Sequence, residues 1–498
     1  MKPVNDIRPN RCGLQLVLVA AASLLAGCAV GPDYEGPSIN LPTRWHQDKK
    51  TPAPQAVVLA QWWRRLNDPT LNALIADAVQ DNLDVAAAKA RIREARAYHQ
   101  QAIGALFPSV NGRGLATRNG RPSASATGSD PASAYNQFQA GFDASWELDL
   151  FGAQRRAVEA ASYGVDAADD DLRSTLLTLI GDVASYYVEA RGNQARSALA
   201  RRAATSQRET AALTQRSFEA GSAAAVDVER AFAQSASTEA NVPTYDAAYA
   251  QEVHRLGILL GRDPSVLTQR MARSTAIPAP RLPLPTGIPA DVLVNRPDVR
   301  SAERQLAQYT ARIGQAEAAL YPTVSLTGSV STTGLRIGDL GKNSSIGWSF
   351  GPTLSVPVFN RGQLSAAVTV AQAQRDRYDI AWRSAVVKAL EDVENAIVSL
   401  AQDRIKIRSL AEAARRYGEA FRLSRSLYET GSTSFLDVLD AERSRYSAED
   451  ALLQSRTAIA KNYIALAKAL GGGWDGTIDA SRPEIIDTNA GPRFARKR

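Results

Sequence analysis

The sequence predicts an α+β membrane protein built from two internal structural repeats, whose few strands can close a β-barrel only when several copies associate. Three observations carry that reading. Apolar and polar residues alternate over 138–150, two proline-free spans each exceed 100 residues, and the chain resembles itself at an offset of about 210 residues.

The first element is a leader. Lys2, Arg8 and Arg11 precede the apolar run GLQLVLVAAASLLAG, the pattern of an export signal rather than of a spanning helix. Leu25, Ala26, Gly27 and Cys28 resemble the lipobox of bacterial lipoproteins, which implies cleavage before Cys28 and acylation of its thiol. Ala29 stands where an inner-membrane retention signal would have Asp, so the same resemblance points to the outer membrane. Residues 1–27 are thus expected to form a signal peptide and 28–61 an acylated, extended segment.

Composition narrows the class. With 45% hydrophobic residues and a mean hydropathy of -0.23, the chain lacks the several apolar runs of about 20 residues that a helical membrane bundle needs. Cys12 lies in the leader, so the mature chain would hold no disulfide and no cysteine metal cluster, and no cofactor is expected. Losing three basic residues and one acidic residue with the leader takes the net charge from +7 to +5. That mild excess, without a long basic block, argues against nucleic acid as a partner.

No proline lies between Pro131 and Pro243 or between Pro357 and Pro483, which leaves room for very long helices. Val158, Ala161, Val165, Ala168, Leu172, Leu176, Leu179, Val183, Tyr187 and Ala190 recur in steps of three and four, as one helix face does. The second span has the stripe Val386, Leu390, Val393, Ile397, Leu400. Helices of this length reach on the order of 100 Å at about 1.5 Å per residue, so they need neighbours throughout.

The repeat is explicit. Residues 84–110 and 298–324 share 10 identities in 27 positions, and FEAGSAAAVDV at 218–228 aligns with YETGSTSFLDV at 428–438. The first repeat is expected over 62–270, with strands at about 108–118 and 136–150 and helices at about 153–219 and 223–260. A Pro-rich linker at 271–290 leads to the second repeat at 291–474, with strands at about 322–332 and 345–359 and helices at about 362–429 and 434–470. A tail follows at 475–498. Pro243 has no counterpart in the second half, so it is the place for the first returning helix to kink or break.

Phe138, Ala140, Phe142, Ala144, Trp146, Leu148 and Leu150 share one face of the second strand, and Asp143, Glu147 and Asp149 the other. Ile346, Trp348, Phe350, Leu354, Val356 and Val358 repeat the pattern. Runs of about 10 residues with aromatics near their ends, behind an export signal, suit strands that cross a bilayer. In that reading Phe138, Phe142, Trp146, Trp348 and Phe350 face lipid, while Asp143, Glu147 and Asp149 face a watery lumen. Four strands per copy cannot close. Two copies would make a filled eight-stranded barrel and three a twelve-stranded one with room for a channel.

At this point the chain resembles the TolC-like outer-membrane factors of tripartite efflux and secretion systems, most closely their lipoprotein branch, the NodT family. The motifs are GPDY after Cys28, WWRRLNDPTLNALIADAVQDNLDVAAAKARI at 62–92, LLGRDP at 259–264, NRPDVRSAERQL at 295–306, ALYPTVSLTGS at 319–329 and GSTSFLDVLDAERS at 431–444. Their order and spacing make the likeness specific. The resemblance implies a homotrimer with a twelve-stranded outer-membrane barrel continuous with a twelve-helix periplasmic barrel. It also implies hairpin tips at Gly221 and Gly431 that dock a periplasmic adaptor (membrane fusion protein) and an inner-membrane RND-type pump. Either glycine also suits a helix C-cap.

The family's closed aperture matches Asp437 and Asp440, six carboxylates in a trimer, although Asp437 equally suits the dipole of the helix it begins. Asp227 and Tyr428 match positions of a closing contact between hairpins, but Thr433 stands where the family's helping arginine would be. The implied function is a passive exit duct for small molecules moved by the pump. The outer-membrane component of a type I protein secretion system is the alternative within the family. An enzyme is not indicated, because His46, His99 and His254 lie far apart and GGGW at 471–474 follows a helix instead of opening one.

Overall fold

The computed structural model describes residues 29–38, 45, 61–120, 134–280, 293–294, 296–473, 476 and 478–481. The leader, Cys28, His46 and most of the expected linker and tail lie outside the described residues. In chain order the elements are α1 (Pro69–Asp81), α2 (Leu83–Gly104), β1 (Ser109–Gly120), β2 (Ala134–Leu148), α3 (Ala153–Glu219), α4 (Ala225–Glu239), α5 (Asn241–Leu259), α6 (Val266–Met271), α7 (Pro297–Ala318), β3 (Thr323–Gly334), β4 (Ile346–Ser355), α8 (Gln363–Glu429) and α9 (Phe435–Ala469). Both α3 and α8 run for 67 residues.

The chain divides into two compact units. The first, residues 1–38, 94–167 and 302–382, holds one antiparallel sheet in the order β1-β2-β3-β4. Its ladders pair Val110 with Ala144, Phe142 with Val330 and Val330 with Trp348. In every ladder even-numbered residues meet even-numbered ones, so the alternation of each strand adds in phase across the sheet.

The second unit, residues 39–93, 168–301 and 383–498, holds the main apolar core. Leu71, Leu74 and Ile75 of α1, Val85 and Ile92 of α2, Leu176, Ile180, Val183 and Tyr187 of α3, Leu256 of α5 and Tyr463 of α9 are buried together. Asp68 starts α1 by accepting from the amides of Thr70 and Leu71, and its other oxygen accepts the Tyr187 hydroxyl at 2.7 Å. The buried Arg296 guanidinium closes the far end of α9 by donating to the Ala469 carbonyl, and it pairs with Asp298 and Asp392.

The first returning helix breaks where Pro243 is expected to break it, and two strand bounds differ from expectation. The first returning helix is two helices, α4 and α5, separated at Ala240. Pro243 has no N–H for the carbonyl of Glu239, so the ladder is interrupted one turn before it. The last strand ends at Ser355 and not near 359, because Pro357 brings no amide to a ladder. The second strand ends at Leu148, which leaves Asp149 and Leu150 outside it.

Candidate functional site

The sheet presents two chemically opposite faces. One carries Val110, Phe138, Phe142, Trp146, Val324, Leu326, Val330, Ile346, Trp348, Phe350 and Leu354. Within the single chain this face is bare: Phe142 is 62% exposed, Trp348 79% and Phe350 71%. Phe138 and Trp146 are partly covered, and the Trp146 indole N–H donates to the Leu106 carbonyl at 2.9 Å, so its polar atom is satisfied at the sheet's end.

The opposite face is polar. Arg113 of β1 lies 3.5 Å from Asp143 of β2, and Glu147 stands opposite Ser325. Gln139 donates to the Ser331 hydroxyl, and the hydroxyls of Ser329 and Ser349 are 2.9 Å apart. Asp149 does not join this face. It accepts from the backbone amides of Gln154 and Arg155 and pairs with the Arg155 side chain, so it caps the start of α3. The first amides of a 67-residue helix have no acceptors of their own, and a carboxylate just upstream supplies them.

The polypeptide just after Cys28 is fastened to α3 and α7 within the same unit. The amide of Val30 donates to the Phe151 carbonyl. Arg156, 4% exposed, donates to the carbonyls of Val30 and Gly31 and to the carboxylates of Asp33 and Glu159. The Tyr34 hydroxyl donates to Glu303 at 2.8 Å. Gly31 has φ +90, and a Cβ there would overlap the backbone of Gly314, so both glycines are required by the close approach. Arg156 had no sequence signal beyond being a basic residue early in a helix.

Gly221 and Gly431 end α3 and α8 in the same way. Each has positive φ, and the amides of Ser222 and Ser432 reach back to the carbonyls of Ser217 and Leu427, the Schellman arrangement. The turns then diverge. Asp437 accepts from the hydroxyls of Thr433 and Ser434 and from the Ser434 amide, forming a capping box for α9. The Thr433 hydroxyl, then Ser434, hold the Asp437 carboxyl below its ordinary value. Its counterpart Asp227 follows Ala224, which offers no hydroxyl, and pairs instead with Arg230 of its own helix at 3.6 Å. Asp440 is exposed one turn into α9.

The expected contact between Asp227 and Tyr428 is not made. The Tyr428 ring packs edge-on against Phe435, beside Ala211 and Ala231, and its buried hydroxyl has no partner among the described residues. Asp227 is held by Arg230 of its own helix, and the Tyr428 ring by Phe435. Sequence reading also passed over Glu442, 5% exposed between α9 and α3, which accepts from the Ser206 hydroxyl at 3.1 Å. Its signal was present: Phe435, Val438 and Ala441 mark the buried stripe, and Glu442 stands on its flank. Among the described residues no helix is long and apolar enough to cross a membrane, and no group of three His, Cys, Asp or Glu forms a metal site.

An antiparallel sheet whose largely apolar face lies exposed in the single chain has the pattern of a membrane β-barrel wall. The chain belongs to the family described as Outer membrane efflux protein, whose model matches residues 74–262 and 288–472. It is 37% identical over 455 residues to nodulation protein T of Rhizobium leguminosarum bv. trifolii, covering 91% of this chain and 96% of that one. It is 32% identical over 461 residues to the solvent efflux pump outer membrane protein SrpC of Pseudomonas putida, covering 91% and 97%. Among solved structures, the outer-membrane channel OprN superposes with a TM-score of 0.83 at 34% identity, over 90% of this chain and all of that one. The open state of the Neisseria gonorrhoeae MtrE outer membrane channel superposes with a TM-score of 0.75 at 30% identity, over 90% and 98%. The resemblance read from the motifs therefore holds.

Proposed function

We propose that three copies of this chain close a twelve-stranded barrel in the outer membrane and form the exit duct of a tripartite efflux pump. The observation that carries the reading is the in-phase register, which gathers most of the aromatic and aliphatic residues of all four strands on one face of the sheet, with Arg118, Asn136 and Thr332 its polar exceptions, while β1 and β4 remain open edges. In hydrocarbon an open edge costs several kcal/mol per unpaired backbone group, so the edges seal against other copies. Eight strands leave no lumen and twelve do, which favours three copies.

In this assembly Phe138, Phe142, Trp146, Trp348 and Phe350 meet lipid, and Asp143 and Glu147 line the lumen. Cys28 is acylated once residues 1–27 are removed, and the clamped segment after it begins beside Phe151, just past the foot of β2. The two helical hairpins extend into the periplasm, where the turns at Gly221 and Gly431 meet an adaptor, with an RND-type pump behind it. Asp437 and Asp440 line the closed aperture. Thr433 and Ser434, not an arginine, engage Asp437 at the tip. Relatives named for solvent, toluene and antibiotic efflux support small organic cargo.

The test is the mass and conductance of the detergent-extracted protein. A trimer with a small, mostly closed conductance that rises in Asp437→Ala with Asp440→Ala supports the duct; a stable monodisperse monomer sinks it.

A further inference from the structure

The packing between α3 and α9 beyond the turn at Gly431 is unlike the apolar core near α1. It contains a carboxyl, Glu442, withdrawn from solvent to 5% exposure. Its hydrogen bond comes from the neutral Ser206 hydroxyl, and no ion pair to it is found among the described residues. The charged groups facing it from each packed helix are Glu209 of α3, Arg425 of α8 and Arg445 of α9.

Both arginines are engaged elsewhere. Arg425 pairs with Glu429 at 3.2 Å and reaches Glu209 at 3.9 Å, and Arg445 pairs with Glu449 at 2.9 Å while covering the Phe421 ring. The same seam leaves other polar atoms unsatisfied: among the described residues, the amide oxygen and nitrogen of Gln207, 1% exposed, and the Tyr428 hydroxyl have no partners. Each such group costs roughly 1–3 kcal/mol. The seam is therefore weak by construction, and the charge state of Glu442 decides how weak.

We propose that this seam is a proton-operated latch, in which neutral Glu442 lets α3 and α9 stay packed and ionised Glu442 drives them apart. The inference deepens the duct reading by adding a control on the hairpin that carries Asp437 and Asp440. Burial, opposed by Ser206 and the two arginines, pushes the Glu442 carboxyl up to about 7 from its ordinary 4.5. A group raised in this way carries no penalty below its ordinary value, and the full penalty above its folded one. The seam is thus tight in acid and loosens as pH rises from 4.5 to about 7, above which the penalty is complete. Asp437, held below its ordinary 3.8, stays ionised over that whole window and contributes no step to it.

Hydrogen exchange of the extracted full-length assembly at pH 6 and pH 8, corrected for intrinsic rates, tests the latch. Amides of 203–213 and 435–446 should exchange about tenfold faster at the higher pH, the ratio that one pKa unit of coupling supplies. Glu442→Gln should abolish that rise, and so should Glu442→Leu, which fills the site without an ionisable group. Persistence of the rise in both variants, or no rise in the parent protein, overturns the latch. Exchange needs no open pore, so those outcomes leave the duct reading standing. An assembly that conducts at neither pH, even with Asp437→Ala and Asp440→Ala, sinks the duct reading instead.

Discussion

The Thr433 hydroxyl donates to the Asp437 carboxylate at 2.6 Å, so the turn that begins α9 satisfies its own acid without an arginine. Asp437 is thereby both the N3 residue of a capping box and an exposed charge. The two roles separate by mutation. Ser434→Ala should destabilise the start of α9 by about 1 kcal/mol, read as faster amide exchange there, while leaving the charge in place. Because the Asp437 carboxyl is lowered in the fold, its contribution is complete above the ordinary value of 3.8 and disappears as pH falls below it. Exchange over 434–438 should therefore be flat from pH 6 to 8 in Glu442→Gln and rise only in strong acid.

The apolar face of the sheet should reject charge where the polar face accepts it. Phe142→Arg, in the middle of β2, should cost about 2–4 kcal/mol in a bilayer, whereas Ser329→Arg, one β3 position from its partner Val330, should be tolerated. Folding titrations in lipid vesicles would measure both, and equal costs would refute the assignment of faces.

Arg156 ties the segment after Cys28 to α3 and, through Gly31 and Gly314, to α7. Arg156→Ala leaves two carbonyls without donors, at roughly 1–3 kcal/mol each when buried. The expected result is early proteolytic cutting within residues 29–36 while the helical units stay intact. Unchanged protection of that segment would show that the guanidinium is dispensable.

Arg296 does the equivalent work at the other end of α9, where it meets the Ala469 carbonyl and two carboxylates. Removing one partner of a buried charge network costs about 3–5 kcal/mol. Since Asp298 and Asp392 are each partly exposed, Arg296→Ala should fall at or below the low end, visible as a lower midpoint of thermal unfolding in detergent. Arg296→Lys should recover little, because one ammonium cannot reproduce the fork that meets all three acceptors.

Local sequence determined what depends on period and on single residue types: the duplication, the long helices between prolines, the strand alternation and the glycines that end α3 and α8. Each is a property of neighbours along the chain, since period 2 or 3.6 sets a face and a positive φ selects glycine. Tertiary structure alone decided the partners. It put every even strand residue opposite an even one, turned Asp149 from a lumen residue into a helix cap, and buried the Tyr428 ring away from Asp227. It also closed Arg156 on the first described residues and withdrew Glu442 from water against Ser206, 236 positions away. Periodicity tells which way a side chain points; which distant group waits there depends on packing that brings remote segments together.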